Sequence, residues 1–157
     1  MKVLRRNEDS IVLGLRAWEA SLLRSVLERY PVVPPAHHRI RAQPEGRADE
    51  ERQRLLDEAL AEHRQERRRE VWGLLHDPAR MAPAPSGIRF TLRLAEVEWL
   101  LQVLNDVRVG SWISLGAPET DLQDFDLNEQ TAVQAWMMEL AGYFQMQLLA
   151  AIEGGGT

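Results

Sequence analysis

Two long segments near the end of the chain, 95–115 and 129–153, are apolar around most of their circumference. In the first, Val97, Leu100, Leu101, Leu104, Trp112 and Leu115 fall on one face at helical spacing, and Trp99, Val103, Val109 and Ile113 fall on the opposite one. In the second, Val133, Trp136, Met137, Leu140, Phe144, Leu148 and Ala151 form one face, and Ala135, Met138, Gly142, Met146 and Leu149 another. A helix with apolar residues on all sides must be buried on all sides. Either both helices are central, or their second faces meet a partner. Gly110 and Gly142 would let a neighbouring helix come close, so the candidate interface residues are Trp99, Val103, Gly110, Ile113, Met138, Gly142 and Met146. The expected partner is a second copy or another protein, because apolar patches of this extent are rare on monomers. Thr131 to Ile152, the most apolar stretch, is long enough to span a bilayer, but Gln134, Glu139, Gln145 and Gln147 interrupt it and mark it as a buried helix. No membrane association is expected.

The rest of the chain is divided by helix-breaking clusters. Pro31, Pro34, Pro35, Pro44 and Gly46 make 31–47 a loop, and Pro78, Pro83, Pro85 and Gly87 do the same for 77–87. Before the first break, two β-prone runs flank Asn7-Glu8-Asp9-Ser10 and predict a hairpin over 2–15. Trp18, Leu22, Val26 and Tyr30 then recur four apart in a helix over 17–30. A helix over 48–76 carries Leu56, Leu60, His63, Val71 and Leu75 on a narrow stripe, with Glu50 and Arg54 in the favourable i to i+4 order. Between Asp49 and Glu70 its surface holds eight acids and six arginines, so it is largely solvated. Ile88-Arg89-Phe90-Thr91-Leu92 alternates like a half-buried strand that can join the hairpin. Asp126 and Glu129 have capping-box spacing before the last helix. No repeat with a period of 20–50 residues is visible. The expected architecture is one mainly α domain over 1–153. It comprises a four-helix, roughly antiparallel bundle and a small antiparallel sheet, with 154–157 a disordered tail.

Charge and composition remove several function classes. The 157 residues contain no cysteine, which excludes disulfides, thiolate metal sites and cysteine catalysis. The net charge is −5 and is unevenly spread: residues 1–86 sum to +2 and residues 87–157 to −7. Arg67-Arg68-Arg69 is diluted by Glu62, Glu66 and Glu70, so specific nucleic-acid binding is not expected. The acids near the start do not suit a secretory leader, and the expected location is cytoplasmic. His37-His38, His63 and His76 are not in metal-ligand spacing, so no metal or other cofactor is expected. Phosphate loops, dinucleotide fingerprints and nucleophile elbows are absent. Asp124 and Asp126 lie where no apolar pocket would shift a carboxyl for acid–base work, and no catalytic residue stands out.

One polar constellation does stand out. Arg108 falls within the apolar face of the third helix, and Glu19 shares a face with Leu15, Trp18, Leu22 and Val26. Two such charges on inward faces predict a Glu19–Arg108 ion pair between the helices, with Asn105 beside it. The pair reads first as a core-organising salt bridge. The alternative is a polar pocket for a small molecule or a reaction, built from Glu19, Asn105, Asp106 and Arg108.

Those residues also carry a resemblance. The stretch Trp99, Leu100, Val103 or Leu104, Asn105, Asp106 and Arg108 resembles a Trp-Leu-x-x-Leu-Asn-Asp-x-Arg motif of an uncharacterised bacterial family of unknown function, best known from actinobacteria. Glu19-Ala20-Ser21-Leu22-Leu23-Arg24 is similar to its early helix, and Trp136 to Leu149 to its aromatic last helix. The resemblance implies no enzymatic activity. It does imply a regulatory or proteostasis context, since the family's genes tend to lie near that of a Clp protease adaptor. The redox regulation by cysteines found in some members cannot apply to this chain. Together these readings give a cytoplasmic interaction or regulatory protein that works through helix surfaces and self-associates.

Overall fold

The computed structural model describes residues 1–35, 45–119 and 126–154. Its elements are β1 (Lys2–Arg6), β2 (Ser10–Leu15), α1 (Ala17–Leu27), α2 (Gly46–His76), β3 (Met81–Ala84), β4 (Gly87–Arg93), α3 (Leu94–Ser114) and α4 (Glu129–Glu153). The protein is mainly α with one four-stranded antiparallel sheet in the order β1-β2-β4-β3. Among the described residues no helix is long and apolar enough to cross a membrane.

The alternation in β2 and β4 builds the centre of the sheet. Ile11 pairs with Leu92, Leu13 with Phe90 and Leu15 with Ile88. Five of these six side chains are fully buried against the helices, and Ile88 packs at the margin. Such cross-strand apolar pairs fix the register, because a slip of one residue would turn the whole set to water. The N-terminal hairpin is where the two β-prone runs predict it, and the strand around Phe90 is where the alternation does. The 77–87 segment is not entirely loop: Met81–Ala84 pairs with β4 as an edge strand. Pro83 lies within it, and an edge position tolerates a residue that cannot donate on its open side. Gly87 opens β4 at φ 140, where an added Cβ would lie 2.1 Å from the Leu15 carbonyl oxygen, so only glycine fits.

A longer periodicity underlies this sheet. Ile11, Leu15, Arg16, Glu19, Leu23, Val26 and Leu27 recur 77 residues on as Ile88, Leu92, Arg93, Glu96, Leu100, Val103 and Leu104. The same shift carries the Leu13–Phe90 pair onto itself and Ile11–Leu92 onto Ile88–Leu15. Each half is therefore strand, strand, helix, helix, and the strands of the two halves pair around an approximate two-fold axis through Leu13 and Phe90. Val71, Leu74 and Leu75, the buried turns of α2, precede Leu148, Ala151 and Ile152 of α4 by the same 77 residues. The spacing exceeds any 20–50-residue period, and the strand pairing brings it out.

The core lies between the sheet and α1, α3 and α4, with Phe90, Phe144, Leu27, Leu100 and Leu104 among its fully buried side chains. α2 is the solvated arm its composition predicts. It extends for about 46 Å at the helical rise. Leu56 and Leu60 are half-buried, His63 is exposed, and only Val71, Leu74 and Leu75 are buried. Arg54 bridges Glu51 and Glu58 rather than Glu50. α4 is capped by Asn128, whose side chain accepts from the Gln130 and Thr131 amides, while the Thr131 hydroxyl accepts from the Asn128 amide. The Asp126 and Glu129 box is not used. His37, His38 and Asp124 lie outside the described residues, as do 155–157 of the expected tail.

Candidate functional site

The polar residues singled out by periodicity do not converge. Glu19 is the third residue of α1 and is 4% exposed. Its Oε2 accepts the Arg16 amide at 2.8 Å, and its Oε1 accepts from the Met1 ammonium and, at 3.2 Å, from the Tyr143 hydroxyl. Burial by itself would raise this carboxyl. The Met1 ammonium, the Arg16 amide and the Tyr143 hydroxyl outweigh it and hold the group below its ordinary range. Burial, and the bond to the Glu19 carboxylate, push the Tyr143 phenol up.

Arg108 is not the partner of Glu19. It is exposed on α3, where its Nε donates to Gln145 Oε1 at 3.0 Å and its Nη2 to Asn105 Oδ1 at 2.9 Å. A long, flexible side chain on the rim of a helical stripe can turn to water, and its charge then needs no buried counterion. The Glu19–Arg108 pair is therefore not formed. A face drawn from spacing alone could not tell the middle of the stripe from its margin.

Asp106 has a different task. Its Oδ1 accepts the Val32 and Val33 amides at 2.6 and 3.3 Å, which holds the segment after α1 against α3. Arg64 of α2 donates to the Val33 carbonyl at 2.7 Å and lies 3.9 Å from Asp106 Oδ2. Gly110 is where that segment crosses, since an added Cβ would meet Val32 and Val33 at 2.6 Å. Gly110 thus admits a loop of its own chain and not a partner helix. Val103 is buried, and Trp99 is half-buried with the Arg67 guanidinium 4.8 Å from its ring centre. The second face of α3 is largely internal, so Trp99, Val103 and Gly110 do not form an outer interface; Ile113 is half-buried. Between α2 and α3 remains a cleft of about 160 Å³ bordered by Tyr30, His63, Arg67, Gln102 and Asp106.

α4 is different. Met138 and Gly142 are half-buried, and Gly142 faces Arg108 Cδ at an ordinary 3.7 Å. Met146, at 72% exposed, and Trp136, at 56%, stand in water together with Val133 and Leu149. Next to Trp136, an open groove of about 850 Å³ is lined by Leu127, Ala132, Val133, Met137 and Glu139.

Periodicity missed Glu96, the counterpart of Glu19. It is buried at the third position of α3, and its Oε2 accepts the Arg93 amide at 2.7 Å. The Arg93 guanidinium donates to its Oε1 at 2.9 and 2.7 Å, and Arg80 closes the cluster. The signal was the repeated Leu-Arg-x-x-Glu directly after a strand, Leu15 to Glu19 and Leu92 to Glu96. Both carboxylates cap a helix start and offset the end of the helix dipole, which is a structural role.

No family model, curated protein or solved structure matches the chain.

Proposed function

We propose that this protein is a cytoplasmic interaction or regulatory protein that works through a helix surface and self-associates. The observation that supports the reading is the outer face of α4, where Trp136 and Met146 are more than half exposed beside an apolar groove. Large apolar side chains held in water on a rigid helix fit recognition by another protein better than isolated exposure does. The polar alternative loses its main support, because Glu19, Asn105 with Arg108, and Asp106 are occupied at three separate places. A roughly antiparallel packing of the helices belongs to the same proposal. The resemblance of Trp99 to Arg108 to the uncharacterised bacterial family adds a regulatory context close to Clp-dependent proteolysis.

The test is affinity capture from the native host with the unaltered chain and with Trp136→Lys. A protein captured by the first and lost with the second is the expected result. A small molecule that copurifies while no protein does would remove the reading.

A further inference from the structure

α2 and α4 hold equivalent places in the order of elements and bury equivalent C-terminal turns, but α4 packs along α3 whereas α2 packs only by its last turns, and their outer faces differ in kind. That of α2 is laced with Glu and Arg, as suits a helix that stands in water. Along α4, Ala132, Trp136, Glu139, Tyr143, Met146 and Ala150 follow one another at spacings of four and three. This is the spacing that the seam of a two-helix contact requires. All but Tyr143, which is partly exposed, lie open to solvent.

We infer that this seam binds a second copy of the chain, α4 against α4 in antiparallel register, with Trp136 opposite the partner's Met146 and Glu139 opposite the partner's Tyr143. The inference rests on the reading of the protein as a self-associating interaction protein and gives it a surface and a geometry. Self-complementarity selects the register, because a two-fold contact requires residue i to meet j and j to meet i. Here small Ala132 meets small Ala150, and the two large apolar side chains meet each other. A shift of one heptad would set Trp136 against Glu139. A parallel pair would bring the two Glu139 carboxylates together.

Charge favours the same arrangement. Glu139 makes no ion pair with any described residue, and neither does the exposed Arg16. Arg16 lies at the start of α1, beside Tyr143: its amide is bonded to the same Glu19 carboxylate that the Tyr143 hydroxyl reaches. A Glu139 carried across Tyr143 by the second copy meets that cation, twice in the dimer. Glu129 and Glu153 come together only at the solvated ends, where salt screens them.

The absence of cysteine makes the register directly readable. Ala132→Cys and Ala150→Cys chains, mixed under mild oxidation, should form the mixed disulfide, while neither cross-links to itself. In the antiparallel pair like positions are about 27 Å apart, far beyond disulfide reach. In sedimentation, Glu139→Arg and Arg16→Glu should each weaken association about tenfold, and the two together should restore it. Self-cross-linking of either variant, or no rescue by the double exchange, overturns the geometry while self-association stands. A monomer at about 100 μM overturns the dimer outright; Trp136-dependent capture of another protein would then still uphold the broader reading.

Discussion

Glu19 is buried and held by the Met1 ammonium, the Arg16 amide and the Tyr143 hydroxyl, whereas Arg108 is solvated on the rim of α3. Glu19 is fully bonded inside, so Glu19→Gln should cost about 1–3 kcal/mol at neutral pH in chemical denaturation, because a hydrogen-bonded buried charge loses its match. The folded carboxyl lies below its ordinary 4.5, so its contribution is complete above that value and is lost as pH falls through the folded value. The variant's stability should therefore fall less steeply below about pH 4.5, and parallel acid limbs would refute the assignment. Arg108→Met should change stability by less than about 0.5 kcal/mol, since the guanidinium is solvated and bonded only to neutral amides. The two glycines that looked alike also separate. Gly110→Ala must push Val32 away from α3 and should cost about 2 kcal/mol or more, whereas Gly142→Ala meets only the flexible Arg108 and should gain up to about 1 kcal/mol of helix propensity. Thermal unfolding of the pair should show shifts of opposite sign.

At the scale of elements, most of the helices and the central strands were legible because their signals are local. The period-two alternation in β2 and β4, the arginine and glutamate coat of α2, and the apolar girth of α3 and α4 each follow from contacts within one element or with one neighbour. Caps and edges were less legible, since several residues in a row can supply the same hydrogen bond. The start of α4 is set by Asn128 and not by Asp126, so Asn128→Ala should cost about 1 kcal/mol while Asp126→Ala leaves the melting temperature unchanged. β3 is hidden by Pro83 within it and by Pro78 and Pro85 on either side. It forms because its open edge asks for no donor at Pro83, and β4 supplies the register from Ala84–Gly87 to Met81–Phe90.

At the scale of the molecule, the two halves share one sheet and neither buries Leu13 or Phe90 without the other. Unfolding should accordingly be a single transition, with tryptophan fluorescence and far-ultraviolet circular dichroism coincident; separated midpoints would show that the halves are independent. Glu96→Ala should cost about 1–3 kcal/mol in chemical denaturation, since it removes the cap of α3 and leaves the partly buried Arg80 with the Thr91 carbonyl. The amino-acid sequence by itself determined the mainly helical class, the central strands as strands, the solvated α2 and the exclusion of cysteine chemistry. Those depend on composition and on periods of two and 3.6 residues. Only the tertiary structure decided which charges are buried, what each glycine faces, that the second side of α3 is internal and that α4 keeps an apolar side in water. Each of these depends on which distant segment arrives at a given face. Val32 reaching Gly110, Tyr143 reaching Glu19 and β2 meeting β4 across 77 residues are contacts that no local pattern encodes.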